Sequence, residues 1–413
     1  MNPSFVTRTT CRLCDSRDLT LALSLPPTPI GDDYLSQDRL SAATELFNLD
    51  LLACGKCGQV QLRDVVSPDL LYASFPYVTS VSVGLPQHFR RFAGEVIEKH
   101  SVMPRSLVVE IGSNEGPMLR AFQERGCRVL GVEPASAIAE AATKAGVPTL
   151  AKYFTKDVAS EIVTSHGPAT VIAANNVLAN IDGLAGVMQG VDTLLAPAGI
   201  LVLETSYWGD VVKSGLIDTI YHEHISYFSV KPLAEFFRRH GMAVIDAGWN
   251  PNKGGSIRLT VQRASGKRHV STSVADRMGT EERDGIHSPK AFAACRSRLD
   301  SLAQEVEAAL RRFKDSGMSI AGYGASVGST TMIYTLRLGG LLEYLLDDNP
   351  RKHGKFSPGF HIPVVPSNCL EERKPDRVVV LAWRYLEQIL KKHPGIGASN
   401  GRFVIPMPEL RMV

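Results

Sequence analysis

Residues 106–134 read "SLVVEIGSNEGPMLRAFQERGCRVLGVEP". An apolar run ends in a glycine-containing turn, a helix-length segment follows, and a second apolar run ends in Glu133. That order is the opening of a parallel α/β sheet, in which a strand must cross over through a helix to reach its parallel neighbour. The same alternation continues downstream. "SAIAEAATKAG" has helical character, while "ATVIAANNVLANI" and "GILVLETSYW" read as further strands, followed by "MAVIDAGWN" and "GGSIRLTVQR". After a polar stretch at 264–288, read as a linker or surface loop, residues 289–316 carry Phe292, Cys295, Leu299, Leu302, Val306, Leu310 and Phe313 at spacings of three to four. This amphipathic helix opens a second α/β unit with strands in "SIAGYGAS", "LLEYLLDDNP", "RVVVLAW" and "RFVIPMP".

The 413 residues exceed what one core organises, so two or three domains are expected. A chain that is 44% hydrophobic and 21% charged is neither disordered nor a disulfide scaffold. Its 45 basic and 42 acidic side chains are spread without a basic block, which argues against nucleic acid as a partner. No run approaches the roughly 18 apolar residues of a membrane span, and the N-terminus lacks the apolar core of a signal peptide. A cytoplasmic enzyme, monomeric or a small homo-oligomer, is the expectation.

Four of the seven cysteines form two knuckles, Cys11 and Cys14 in "CRLC" and Cys54 and Cys57 in "CGKC". Two C-x-x-C pairs in a reducing compartment give four thiolates for a closed tetrahedral Zn²⁺ shell, hence a structural metal. Disulfides or a redox pair are the competing reading. The division expected is a zinc-binding module over 1–75, a Rossmann-like central domain over 76–262, and a C-terminal α/β (Rossmann-like) domain over 263–413.

The first turn bears on the cofactor. Glu110, Gly112, Ser113, Asn114 and Gly116 stand at the carboxyl end of the first strand, where ligands of such sheets bind. Asn176 follows the third strand, and Glu133, ending the second, is spaced to bond ribose hydroxyls. A dinucleotide site requires G-x-G-x-x-G facing a pyrophosphate, whereas this turn reads G-S-N-E-G behind an acidic residue. S-adenosylmethionine (SAM), a phosphate-free sulfonium, fits better. The C-terminal "GYGASVGST" is a weaker glycine signal that either lines a nucleotide pocket or only packs a helix on a sheet.

"DTIYHEHISYFS", 218–229, sets His222 and His224 around Glu223. On a strand the two imidazoles would share a face, as a metal pair or as satisfied polar groups. Their spacing excludes the helical H-E-x-x-H of zinc proteases. "NKGGSIRLT" offers Lys253, Ser256 and Arg258 beside permissive glycines, as phosphate partners or as a plain hairpin turn.

Taken together, the cysteine knuckles, "VVEIGSNEG", "DTIYHEHISYFS", "NKGGSIRLTV" and the tail from "GYGAS" through "DDNPRKHGKFSPGFHIPV" to "RFVIPMPEL" resemble the C-methyltransferases that act at C3 of nucleotide-linked 4-keto-deoxysugars. The resemblance spans nearly the whole chain. It implies a zinc module, a SAM-binding central domain, and a C-terminal domain that helps to form the sugar-nucleotide site, with a thymidine diphosphate (dTDP) sugar as the expected substrate. It also implies His224 as base, Tyr221 and Glu223 as its supports, and Tyr77 in "FPYVTS" beside the sugar; Tyr323 of the C-terminal unit is, apart from the resemblance, a further candidate substrate contact. Where the family often has histidine, "NNVLANI" has Asn180, which donates and accepts hydrogen bonds but cannot relay a proton near neutral pH.

The chemistry agrees with these roles. Bonding carbon to a methyl sulfonium requires a carbanion equivalent, and a C4 ketone makes the C3 proton removable by a side-chain base. Glu223 would steady the imidazolium, and Tyr77, Tyr221 and Asn180 are candidates to bond the developing oxyanion. The competing functions are an O- or N-methyltransferase, which needs no enolising base, a nicotinamide-dependent reductase or epimerase, and a non-catalytic sugar-nucleotide binder.

Overall fold

The computed structural model describes residues 4–72, 84–394 and 402–413; Tyr77 lies outside them. Among the described residues three large sheets, and a two-stranded pair of Phe5–Thr7 with Asp64–Val66, organise the chain. The central one has seven strands in the spatial order Met242–Asn250, Ser256–Arg263, Leu195–Ser206, Ala169–Asn175, Leu107–Ile111, Arg128–Val132 and Thr149–Leu150. The last five are mutually parallel, and Ser256–Arg263 joins Leu195–Ser206 antiparallel. All five residues of Leu107–Ile111 are buried, as expected for a strand covered by helices on both faces.

The N-terminal sheet is antiparallel, and one of its strands comes from far along the chain. Its order is Ser226–Tyr227, Val60–Leu62, Phe47–Cys54, Leu19–Thr28. Ser226 pairs with Gln61 and Tyr227 with Val60, so the residues just after His224 are stitched onto the cysteine module.

The C-terminal sheet runs Val364–Pro366, Tyr344–Asp347, Ile320–Tyr323, Arg377–Val380, Phe403–Ile405 and Arg411–Met412, parallel except for its last strand. The helix Pro289–Asp315 leads into it, and its apolar face is buried as the spacing requires. Residues 264–288 depart from expectation: they contain a helix, Thr272–Asp284, not only a loop. Ser271 caps it by accepting from the Ser273 amide, and Gly285 ends it in a left-handed conformation. Its buried Glu281 accepts from the amides of Val230 and Lys231 at 2.6 and 2.9 Å, capping the N-terminus of the earlier helix Val230–Arg239. A polar composition concealed a helix whose most important side chain is a carboxylate.

The glycines of "GYGASVGST" are filled by protein. A Cβ on Gly322 would stand 2.6 Å from Leu345 and one on Gly324 2.8 Å from Ala382. Gly328, in the helix Val327–Thr335, lies against the backbone of Asp218, with the carbonyl oxygen 2.3 Å from where a Cβ would sit. The structure thus favours packing over a nucleotide pocket for these glycines. Helix propensity alone would make Gly328→Ala stabilising by up to about 1 kcal/mol. The close approach reverses that sign, with a net loss of about 1–3 kcal/mol expected as a lower urea midpoint. A raised midpoint would contradict the contact.

Candidate active site

Cys11, Cys14, Cys54 and Cys57 converge so that their sulfurs all lie within 4.8 Å of one another. The Cys11–Cys57 and Cys14–Cys54 separations are 3.6 and 3.5 Å. Tetrahedral Zn²⁺ with bonds of about 2.3 Å requires sulfur–sulfur edges of about 3.8 Å, so the donor set fits the metal. One equivalent of zinc is expected by elemental analysis, lost in Cys54→Ser along with a lower thermal midpoint. Metal-free protein of unchanged stability would contradict this.

The turn after Leu107–Ile111 is built for a ligand. Gly112 has φ +67°, and a Cβ there would meet Val177 at 2.5 Å, so backbone and third-strand turn approach as only glycine permits. Asn114 and Asn176 also hold positive φ, 49° and 52°. Glu133 accepts from the amides of Asn114 and Ala135, both at 3.0 Å, which fixes its carboxylate beside the turn. Burial raises its pKa, opposed by those amides. Glu110 Oε2, Ser113 Oγ and Asn175 Oδ1 are buried without a hydrogen-bond partner, a polar set that fits the hydroxyl and amine groups of a bound adenosyl cofactor.

Glu110 itself bears a correction. Its Oε1 accepts from Asn175 Nδ2 at 3.2 Å, and burial pushes its pKa up to about 8. In the ligand-free protein it is mostly a neutral acid at pH 7, not the standing negative charge that the sequence implied. Folded Glu110 holds a proton that the unfolded chain releases above its ordinary value of 4.5, so its contribution to stability falls as pH rises through about 8. Glu110→Gln removes that term. Its urea midpoint relative to wild type should rise between about pH 6 and about pH 8.5, and a gap independent of pH would contradict the assignment.

The histidine segment is a turn, not a strand. Ile217–Thr219 is a 3₁₀ turn, and only Ser226–Tyr227 pairs as strand, so His222 and His224 do not share a strand face. His222 packs edge-on to Phe47, its ring 5.6 Å away. His224 Nδ1 lies 3.1 Å from the Thr219 carbonyl and Nε2 lies 2.8 Å from the Tyr221 hydroxyl. A carbonyl only accepts, so Nδ1 carries the proton and Nε2 presents its lone pair, accepting from Tyr221. The two rings are stacked with centroids 4.1 Å apart. Burial, with the charge of Lys253, lowers the His224 pKa to about 3, so the imidazole is neutral at pH 7.

Glu223 does not orient this imidazole. The Thr219 carbonyl does that, while Glu223 turns into a buried region near Asp32 and Lys352, where burial raises it to about 7 and its Oε2 has no hydrogen-bond partner. Lys352 bonds Asp32 and donates to the Ala325 carbonyl at 2.6 Å, joining the N-terminal and C-terminal parts beneath the segment. Asn180 ends the 3₁₀ turn Leu178–Asn180, whose Ala179 carbonyl accepts from the Ile225 amide at 2.9 Å, and its Oδ1 is buried without a partner.

The expected phosphate ligands separate. Lys253 sits at φ 53° in the hairpin turn between Met242–Asn250 and Ser256–Arg263, close enough to depress His224. Ser256 donates to the Asn252 carbonyl at 3.0 Å. Arg258 is already committed to Glu95 at 2.5 Å and Glu204 at 2.9 Å, and it covers the Phe92 ring at 3.4 Å. Its work is to hold the hairpin, together with His88, which bridges Glu204 and Asn252 at 2.7 and 2.6 Å. The cation near Lys253 is Arg384, with Nη2 2.5 Å from where a Gly254 Cβ would sit, bound to Asp218 and stacked on Trp383. No sequence spacing pointed to it. Tyr323 lies in the C-terminal sheet, its hydroxyl 3.2 Å from His393 Nε2 and 3.4 Å from Asp348.

Three family matches cover successive parts of the chain: a zinc binding domain over residues 11–72, a methyltransferase domain over 87–247, and a C-methyltransferase C-terminal domain over 251–408. C-methyltransferase NovU of Streptomyces niveus is 32% identical over 404 residues, which cover 98% of this chain and 96% of that protein. Among solved structures, a Burkholderia thailandensis 1,6-didemethyltoxoflavin-N1-methyltransferase with bound S-adenosylhomocysteine is 18% identical, with a TM-score of 0.36 over 51% of this chain and 97% of that one. Magnesium protoporphyrin IX methyltransferase from Synechocystis PCC 6803 with bound SAM is 13% identical, with a TM-score of 0.33 over 44% and 80%. Overlaps of this size say nothing about substrate.

Proposed function

The chain belongs to the family of SAM-dependent C-methyltransferases, and we propose that it methylates C3 of a nucleotide-linked 4-keto-deoxysugar, a dTDP sugar by expectation, in branched-chain deoxysugar biosynthesis. The observation that carries this reading is the buried, neutral His224, with Nδ1 on the Thr219 carbonyl and Nε2 facing Tyr221. An O- or N-methyltransferase needs no such carbon base.

In the proposed reaction the C3 proton passes to Nε2 of His224, and the Thr219 carbonyl holds the resulting imidazolium through Nδ1–H. Tyr221 yields its hydrogen bond to Nε2 when substrate arrives and turns it to the C4 oxygen, where negative charge develops. The Asn180 amide would serve that oxygen only through its Nδ2–H₂, since an oxyanion requires a donor and the Oδ1 that lies buried without a partner is an acceptor. Burial that keeps His224 neutral also makes it a weak base. The enolate formed beside it supplies the counter-charge that favours the imidazolium, so the proton moves as the charge pair forms. SAM, when bound, supplies the methyl group as a sulfonium-activated electrophile. Glu110, Ser113, Glu133, Asn175 and Asn176 would hold the cofactor at the strand ends, so that orientation contributes much of the rate. Lys253 is the cation proposed for the diphosphate; Arg258, held by Glu95 and Glu204, and Arg384, held by Asp218, are already committed to carboxylates.

The test is methyl transfer to a dTDP-4-keto-deoxysugar, read by mass spectrometry, with SAM binding measured on the same samples. Wild type should gain one methyl group, and His224→Ala should lose at least about a hundredfold in kcat with the SAM dissociation constant within about twofold. Wild-type turnover in His224→Ala would remove it as the base.

A further inference from the structure

Arg12 stands inside the first cysteine knuckle, yet its side chain points away from the sulfurs and is fully buried. A buried guanidinium needs acceptors for its planar fork, and Nε and Nη1 find them while Nη2 is buried without a partner. It donates to Asp182 Oδ1 at 2.7 Å, to the Leu62 carbonyl at 3.0 Å and to the Ile225 carbonyl at 2.8 Å. Ile225 is the residue after His224, and Asp182 lies two beyond Asn180. Leu62 ends the strand that follows the second knuckle.

The backbone around Arg12 is tied as firmly. Its amide donates to Gln61 Oε1 at 2.8 Å, and Gln61 Nε2 donates to the Thr10 carbonyl at 3.0 Å. Gln61 also pairs with Ser226 across the sheet. The Leu62 amide bonds the Ile225 carbonyl at 3.0 Å, so that oxygen receives both the module's strand and its arginine.

We propose that Arg12 is a positioning residue that fixes the base segment and the Asn180 turn to the zinc knuckle, so that the remote metal controls the placement of His224. This rests on the reading of His224 as the base. Metal closing both knuckles would anchor the Arg12 backbone, and its Nε and Nη1 then tie Asp182 and Ile225, two loops from different parts of the sequence, to that anchor. Lysine preserves the charge but offers a single ammonium, which cannot span a carboxylate and two carbonyls in one plane. A displacement of about 1 Å at a reacting group costs roughly a hundredfold in rate.

The test compares Arg12→Lys and Asp182→Ala with wild type, with zinc content and SAM binding read on every sample. Hydrogen–deuterium exchange, run without substrate, should be about tenfold faster in peptides spanning 218–228 and unchanged in 107–116. With the 4-keto sugar nucleotide, kcat should fall by about thirtyfold or more while the KM for SAM stays within about twofold. The Asp182 side chain is 40% exposed and is not one of the four metal-ligating side chains, so Asp182→Ala decides the matter should Arg12→Lys lose zinc. Wild-type exchange in 218–228, or wild-type kcat, in a zinc-replete variant would overturn the proposal. Wild-type turnover in His224→Ala would instead remove the base and leave the exchange result standing.

Discussion

Residues 217–228 lie almost wholly out of water, so the polar groups in them that do not pair locally depend on partners from elsewhere in the chain. The partners come from all three sheets' neighbourhoods. The Ile225 carbonyl accepts from Arg12 and Leu62 of the cysteine module, the Ile225 amide donates to the Ala179 carbonyl in the turn after the central strand Ala169–Asn175, and the Ile220 carbonyl accepts from the Thr331 hydroxyl of the C-terminal unit. Asp218 receives Trp383 and Arg384. The histidine that carries the proposed chemistry is thus in place only when all three parts are folded around it. Withdrawing any one set of partners leaves buried groups unpaired, at roughly 1–3 kcal/mol each.

That burial also determines the acid–base character of the site. His224 sits at about 3, Glu223 at about 7 and Glu110 at about 8, each displaced toward its neutral form. A site of neutral groups in a low dielectric makes any charge born during reaction strongly felt. The imidazolium and the enolate arise together, so the pair is stabilised where either alone would not be. The cost appears on acidification: unfolded histidines take up protons below about 6.5 that His222 and His224 refuse in the native state, so stability drops as pH falls toward 4.

Much of this was legible in the sequence because it is local. The strand, turn and helix of 106–134 follow from apolar runs and glycines, and two C-x-x-C pairs suffice to infer a tetrathiolate. The course of "YHEHIS" was not legible in its spacing, because tertiary contacts, Ile225 to Ala179 and to Arg12, hold the segment as a turn. Arg258 looked like a phosphate ligand because no spacing reveals that Glu95 and Glu204 fold onto it. Arg12 and Arg384 were invisible for the same reason: each matters through a partner about 165 to 215 residues away. The helix Thr272–Asp284 escaped because its signal is a buried carboxylate, which composition scores as loop.

The role proposed for His224 requires proton removal at carbon before methyl transfer. The most direct measurement is exchange of the C3 hydrogen of a dTDP-4-keto-deoxysugar in D₂O, followed by mass spectrometry in the absence of SAM. Deuterium entering at C3 with wild type, and not with His224→Ala, is the result predicted. A wild-type enzyme that transfers a methyl group to this sugar yet never exchanges C3, with S-adenosylhomocysteine in the cofactor site or without it, would contradict a stepwise enolisation by His224.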